Sequence, residues 1–211
     1  MEGAFSNVVI EQLIHNLRKQ RIPSTYIKFI KQLLTGRQTR LKFDNFISES
    51  IAILNRIGQG DPLSMILYIL YNADLLEITG DKEKEDALGF VDNTALMVIG
   101  DSFQEMTARL EELMSKEDGG VQWSVDHNSR FETSKSVVLH ASRQTQQDPK
   151  TDDSRIPLDR PKHIIEGQVI QEVKSFKYLG VQINNQLKWN EQAQRVLANT
   201  TKWLLQYRML E

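Results

Sequence analysis

The sequence predicts an α+β fold in which hairpins build an antiparallel sheet and helices pack on it. Apolar residues recur at helical spacing towards both ends of the chain. Between them lie short apolar runs broken by Asp-Asn or Asn-Asn pairs. The two kinds of segment do not alternate in the regular βαβ order that a parallel sheet requires. At 211 residues, with 40% hydrophobic and 26% charged positions, the chain is long enough for one sizeable core and has an ordinary globular make-up. No internal repeat is visible.

Val9, Ile10, Leu13, Ile14 and Leu17 form one stripe of a first helix, and Pro23 opens a second through Ile27, Ile30, Leu33 and Leu34 that Gly36 stops. Residues 37–43 and 46–54 flank Asp44-Asn45 and read as a hairpin. Asp61 can cap, and Pro62 suits the first turn of, a helix carrying Leu63, Ile66, Leu67, Leu70 and Leu75, apolar enough to be buried. A second hairpin spans residues 87–100, and with the first it is expected to form a central antiparallel sheet. Ser102 and Glu105 make a capping box for a helix through Phe103, Met106, Leu110, Leu113 and Met114, ended by Gly119-Gly120. Residues 136–140 read as a short strand, and the polar run 144–162, with Pro149, Pro157 and Pro161, as an exposed insertion. Residues 164–165, 169–170 and 176–183 are strand-like, Asn184-Asn185 marks a turn, and Asn190 starts a last helix ending near Leu210.

The chain holds no cysteine, which excludes disulfides, thiol catalysis and thiolate-bound zinc. His15, His127, His140 and His163 are too scattered for a histidine metal site, so any metal would be a hard cation on oxygen ligands. No apolar run is long enough to span a bilayer and no leader pattern opens the chain, so an intracellular protein is expected and no membrane partner. Net charge is −2, yet Arg18, Lys19, Arg21, Lys28, Lys31, Arg37, Arg40 and Lys42 follow one another without an acid. That stretch is either a phosphate-facing surface or a solvated face balanced by acids such as Asp81, Glu83, Glu85 and Asp86.

The most informative segment is ALGFVDNTALMVIG, residues 87–100. Two apolar runs flank Asp92 and Asn93. Asp-Asn suits a tight turn because both residues tolerate unusual backbone angles. The same turn would also lift a carboxylate to the edge of a sheet, where it could hold a cation.

Taken together, several segments resemble the palm of the reverse transcriptases of non-LTR (LINE-type) retrotransposons. They are Gly3-Ala4-Phe5, the loop GQGDPLS at residues 58–64, FVDN at residues 90–93, Trp123 with FETSKS at residues 131–136, and FKYLGVQI at residues 176–183. The resemblance implies a partial palm at residues 1–142, a polar insertion or loop at 143–162, and primer-grip-like strands with a helix leading to a thumb at 163–211. It implies RNA-directed DNA polymerase chemistry: two Mg²⁺ (or Mn²⁺) ions about 3.5–4 Å apart, one activating a primer 3′-hydroxyl and one stabilising pyrophosphate oxygens. Asp92 and Asn93 then stand at the metal positions and Lys135 beside the leaving pyrophosphate, although Lys135 equally fits a surface lysine after a turn. Phe5, Gly58, Gln59 and Gly60 would meet nucleotide or template, Tyr178, Leu179 and Gly180 would grip the primer, and Arg37, Arg40 and Lys42 would face the nucleic-acid backbone. The implied partners are an RNA template, a DNA primer or RNA–DNA duplex, and dNTPs in an active enzyme, with the nucleus as the site of action.

The departures from the pattern set a further expectation. The usual second aspartate of the hairpin is Asn93, which offers a carbonyl and no charge. The family's other essential aspartate would align just before Met1, with the fingers region ahead of it missing and only the start of a thumb at the other end. Glu2, about 6.5–7 Å further along the same strand, is a poor surrogate. Three readings follow: a relic with little or no activity, an active polymerase with a misplaced start, or a non-catalytic nucleic-acid-binding protein that reuses the palm.

Overall fold

Helices α1 (Ile10–Lys19) and α2 (Ser24–Leu34) form where the helical spacing places them; α1 buries Ile10, Leu13, Ile14 and Leu17, with Val9 half-buried just before it, and α2 buries Ile27, Ile30 and Leu34 but leaves the predicted Leu33 exposed. The computed structural model describes residues 5–53, 57–58, 60–147 and 154–208. It divides into two units, residues 1–100 with 108–132 and residues 101–107 with 133–211.

In the first unit α2 leads into β1 (Gln38–Thr39) and β2 (Lys42–Phe43), which turn at Asp44-Asn45 into β3 (Phe46–Ile47) and β4 (Ile51–Ala52). The predicted hairpin is present but interrupted. Lys42 pairs with Ile47, whereas Thr39 pairs with Ile51, so the returning strand carries one extra residue and bulges between the two short ladders. Next come α3 (Pro62–Tyr71), the single turn α4 (Ala73–Leu76), and strands β5 (Glu85–Phe90) and β6 (Asn93–Val98), followed by α5 (Phe103–Ser115), whose residues 103–107 belong to the second unit, and α6 (Gly120–Asp126). Among the described residues no ladder joins the two hairpins, so the expected central sheet is a pair of separate hairpins.

The main core gathers Val8, Leu13 and Leu17 of the N-terminal segment and α1, Ile27 and Ile30 of α2, and Leu67, Tyr68 and Tyr71 of α3. The predicted α3 core needs one correction. Leu67 is buried and Leu63 and Leu70 partly so, but Ile66 is exposed along with Met65 and Ile69. Tyr68 and Tyr71 fill the helix's inner face together with Leu67, and the helix stops at Tyr71, four residues before Leu75. Gly119, expected to end α5, instead precedes α6, with α5 closing at Ser115.

The second unit holds β7 (Val137–Val138), β8 (Thr145–Gln147), β9 (Arg155–Pro157), β10 (His163–Ile165), β11 (Gln168–Glu172), β12 (Ser175–Tyr178), β13 (Val181–Asn184) and α7 (Asn190–Arg208). β10, β11 and β7 make a three-stranded sheet in which β11 and β7 run parallel, while the other pairs are antiparallel hairpins. The segment 176–183 is not one strand. Leu179 and Gly180, both at positive φ, turn the chain between Tyr178 and Val181. The whole is a mixed α and β structure with small, mainly antiparallel sheets, and among the described residues no helix is long and apolar enough to cross a membrane.

Candidate functional site

The β5–β6 ladder runs from Glu85↔Val98 to Phe90↔Asn93, which leaves Val91 and Asp92 as the two turn residues. The predicted turn is therefore displaced by one position. Asn93 is the first residue of β6, exposed and opposite Phe90, and not part of the tip. The register is explained by Val91, which packs against the main core, so a slip that put Asp92-Asn93 at the tip would also move the alternation of faces along both strands.

Val91 adopts φ +55°, an uncommon conformation for a β-branched side chain that costs about 1–3 kcal/mol. Two contacts hold it there: the apolar packing of its side chain, and the buried Asn72, whose Nδ2 donates to the Val91 carbonyl at 2.9 Å. Asn72 follows α3 directly, so the helix that the loop at residues 58–61 introduces also fixes the hairpin tip. Tyr68, one turn earlier, is fully buried, and burial pushes its phenol up, with the Asn72 hydrogen bond opposing and the charge of Asp92 reinforcing the shift. Phe5 packs its ring 5.0 Å from that of Tyr68 and accepts the Ile57 N–H on its carbonyl at 3.1 Å. Tyr68 thus meets Phe5 and the charge of Asp92, and Ile57 is tied to it through Phe5.

At the start of α3, Asp61 accepts from the Leu63 N–H at 2.9 Å and Pro62 occupies the first turn, as the sequence indicates. Gly60 has φ +85°, so the loop needs a glycine there for its backbone. An added Cβ at Gly58 would lie 3.8 Å from Ser64 Oγ, ordinary contact, so its backbone is not crowded. Gln59 lies outside the described residues, as do Gly3 and Ala4.

The donors at this end of the hairpin, Asp92 in the turn and Asn93 at the start of β6, do not fit a pair of divalent cations. Asp92, half-buried, is one carboxylate and Asn93 one neutral amide, and among the described residues no three His, Cys, Asp or Glu side chains gather to hold a metal. One negative charge faces the four positive charges of two such ions.

The basic stretch separates into parts. Lys19 lies 2.7 Å from Asp74 and 2.9 Å from Glu77; these acids, rather than the expected Asp81 to Asp86 group, balance its charge and raise its pKa. Asp81 and Glu85 instead flank Arg109. Arg37 donates through Nε to the Leu34 carbonyl at the end of α2. Arg40, between β1 and β2, and Lys42, on β2, are exposed, and among the described residues neither is paired with an acid. In the second unit, Lys135 is exposed in the turn after Thr133, Tyr178 closes β12 with its phenol raised by burial, and Leu179 and Gly180 form the following turn.

Over 205 residues, 95% of this chain, the sequence is 22% identical to a retrovirus-related Pol polyprotein from type-1 retrotransposable element R2 of Popillia japonica. The chain spans about a third (32%) of that protein's length. No protein-family model matches the chain. The similarity is distant, and it runs through both units.

Sequence reasoning missed Tyr68 and Asn72, which secure the hairpin tip. Their signal lies in the inner face of α3, where Ser64, Tyr68, Tyr71 and Asn72 interrupt a run of aliphatic residues at helical spacing. Polar or aromatic residues on a buried face need hydrogen-bond partners, and here the partners lie on the neighbouring segments.

Proposed function

We propose that this chain is a retroelement-derived segment of a reverse-transcriptase palm of the non-LTR kind, retaining the fold of an RNA-directed DNA polymerase with little or no nucleotidyl transfer. The observation that carries the reading is that Tyr68 meets both the Phe5 ring and the charge of Asp92, while Ile57 bonds to the Phe5 carbonyl and Asn72 to the Val91 carbonyl. The distant similarity to a Pol polyprotein along nearly the whole chain supports it. Loss of activity follows from the donor set: Asp92 is the one carboxylate in the turn and Asn93, at the start of β6, adds no charge, so Mg²⁺ or Mn²⁺, the ions of such an enzyme, would be poorly held there. Primer extension on a primed RNA template with dNTPs and Mg²⁺ is expected to stay at the level of the Asp92→Ala variant. Template-dependent extension that Asp92→Ala abolishes would show that the activity survives.

On the same reading the protein meets RNA template and primer through their phosphates, and exposed Arg40 and Lys42, with Arg37 at the entry to β1, are the residues to carry that contact. Binding of an RNA–DNA duplex is expected to be weak, indifferent to sequence and steeply salt-dependent. Replacing all three with Gln is expected to lower the slope of log K against log salt by up to about 3, from about 0.9 per phosphate contact. An unchanged slope in the triple variant would leave these charges as a solvated face.

A further inference from the structure

The second unit contains a cavity of about 320 Å³. Its walls come from the segment at Ser142 and Arg143, the loop after β9 at Arg160, and the turn after β13 at Asn185 and Lys188, with Phe103 at its edge. Three of the lining residues are cationic, Arg143, Arg160 and Lys188, and none is acidic. Like charges gathered on one cavity raise the energy of each, and an anion between them removes that cost.

The three cations differ in how they are held. Arg143 is fixed in place: its Nε donates to the Gln186 carbonyl at 3.2 Å and its Nη2 to the Leu187 carbonyl at 3.1 Å. Much of the side-chain entropy that a ligand contact would otherwise cost is thus already lost. Arg160 lies over the Phe103 ring at 5.8 Å and gives Nη1 to Glu172 at 2.9 Å, while its buried Nε has no hydrogen-bond partner among the described residues. An unpaired buried N–H on a charged group is costly and calls for an acceptor. Lys188 is anchored through its backbone, whose N–H donates to Asn184 Oδ1 at 2.8 Å; its side chain is exposed and, among the described residues, meets no acid.

Glu172 offsets one of the three charges, which leaves an excess of two at the cavity. A phosphate group matches that excess and can accept from donors arriving from three sides, which a planar carboxylate does less well. The volume is that of a nucleotide-sized group. We propose that this cavity binds the phosphate of a nucleotide or of a nucleic-acid strand, held between Arg143, Arg160 and Lys188. The inference rests on the second unit alone and is independent of the palm reading.

The test uses the whole chain carrying the Arg37, Arg40 and Lys42 to Gln changes, so that the hairpin does not contribute, with short single-stranded RNA and inorganic pyrophosphate as probes. Lys188→Gln, an exposed change that disturbs none of the backbone contacts above, is expected to weaken RNA binding about fivefold and to lower the salt slope by about 0.7. Lys188→Arg is expected to restore both. A parallel loss of pyrophosphate binding assigns the cavity to free phosphate-bearing ligands, and a loss for RNA alone assigns it to a strand's phosphodiesters. Affinity and slope unchanged in Lys188→Gln for both probes, or no binding of either probe to the parent, would overturn the proposal.

Discussion

Replacing Tyr71 with alanine is expected to cost about 3–5 kcal/mol of unfolding free energy, the range for deleting a fully buried aromatic side chain. Tyr71 is completely buried and joins three segments at once. Its hydroxyl donates to the His127 carbonyl at 2.5 Å and accepts from the Val9 N–H at 3.2 Å, and its own carbonyl accepts from Asn16 Nδ2 at 2.9 Å. The ring meets His127 edge-on at 4.9 Å and lies 6.2 Å from Tyr68, the residue against which Phe5 packs. Burial pushes the phenol up to about 12, so it is a neutral donor at neutral pH. Tyr71→Phe separates the hydroxyl from the ring. It is expected to cost about 1–3 kcal/mol, because the Val9 N–H loses its hydroxyl partner and the His127 carbonyl is left with Ser129 Oγ. Urea unfolding of the two variants checks both values, and a Tyr71→Ala protein within about 1 kcal/mol of the parent would refute this account of the core.

The parts of the fold that the sequence made legible are those governed by local periodicity. The stripes of α1 and, Leu33 apart, of α2 fall where the spacing places them, Asp61 and Pro62 start α3, and Ser102 with Glu105 caps α5 through a Ser102 Oγ contact to the Glu105 N–H at 3.1 Å. What failed was what depends on partners far along the chain. α3 is apolar on all sides, so its pattern could not say which face is inward, and the answer came from Tyr68 and Tyr71, whose hydroxyl and ring contacts lie on other segments. Gly119 reads as a stop signal. Instead it opens α6 in a crowded spot, where an added Cβ would lie 2.7 Å from the Leu113 carbonyl oxygen, so close packing accounts for the glycine.

At the candidate site the sequence located the hairpin but not its register. Asp-Asn is the better turn pair by intrinsic preference, yet burial of Val91 and the Asn72 hydrogen bond outweigh that preference and hold a valine at positive φ. The same limit applies to FKYLGVQI, whose apolar run conceals a two-residue turn that only Gly180 hints at. In the basic stretch, composition could not separate Lys19, which is neutralised by Asp74 and Glu77, from Arg40 and Lys42, which stand exposed. Charge pairing is a matter of tertiary geometry, which composition does not record.

Acid is expected to weaken the first unit from about pH 6.5 downward, before the carboxylates titrate, and His127 is the reason. This histidine is buried, stacked on Trp123 at 4.6 Å, with Nδ1 3.0 Å from the Trp123 carbonyl, so Nδ1 carries the proton. Nε2 then accepts from Asn16 Nδ2 at 3.1 Å, and the Asn16 Oδ1 is already taken by Gln12 Nε2. A second proton on the ring would set two donors face to face. Burial is the main cause that lowers the His127 pKa below its ordinary 6.5; His15 adds to it, and the Trp123 carbonyl and the charges of Asp74 and Asp126 oppose it without cancelling it. The sign follows from linkage. Below about pH 6.5 the unfolded chain takes up a proton at this position that the folded chain refuses, so stability falls by up to about 1.4 kcal/mol per pH unit until the lowered folded value is reached. His140 in the second unit acts in the same direction, lowered by burial and by Arg160 against the pull of Glu172. The two carboxylates with lowered values behave differently. Glu77 is held down by Lys19, and Glu85 by the Gly80 and Asp81 N–H groups and Arg109 against its own burial, so both lose their contribution only as pH falls below the ordinary 4.5. Unfolding midpoints measured between about pH 7.5 and about pH 5 are therefore expected to fall in the histidine range, and the His127 ring resonance to stay unshifted as pH passes 6.5. Flat midpoints across that interval, or a His127 resonance that titrates at its ordinary value, would show that the ring is not held neutral by the Asn16–Trp123 pair.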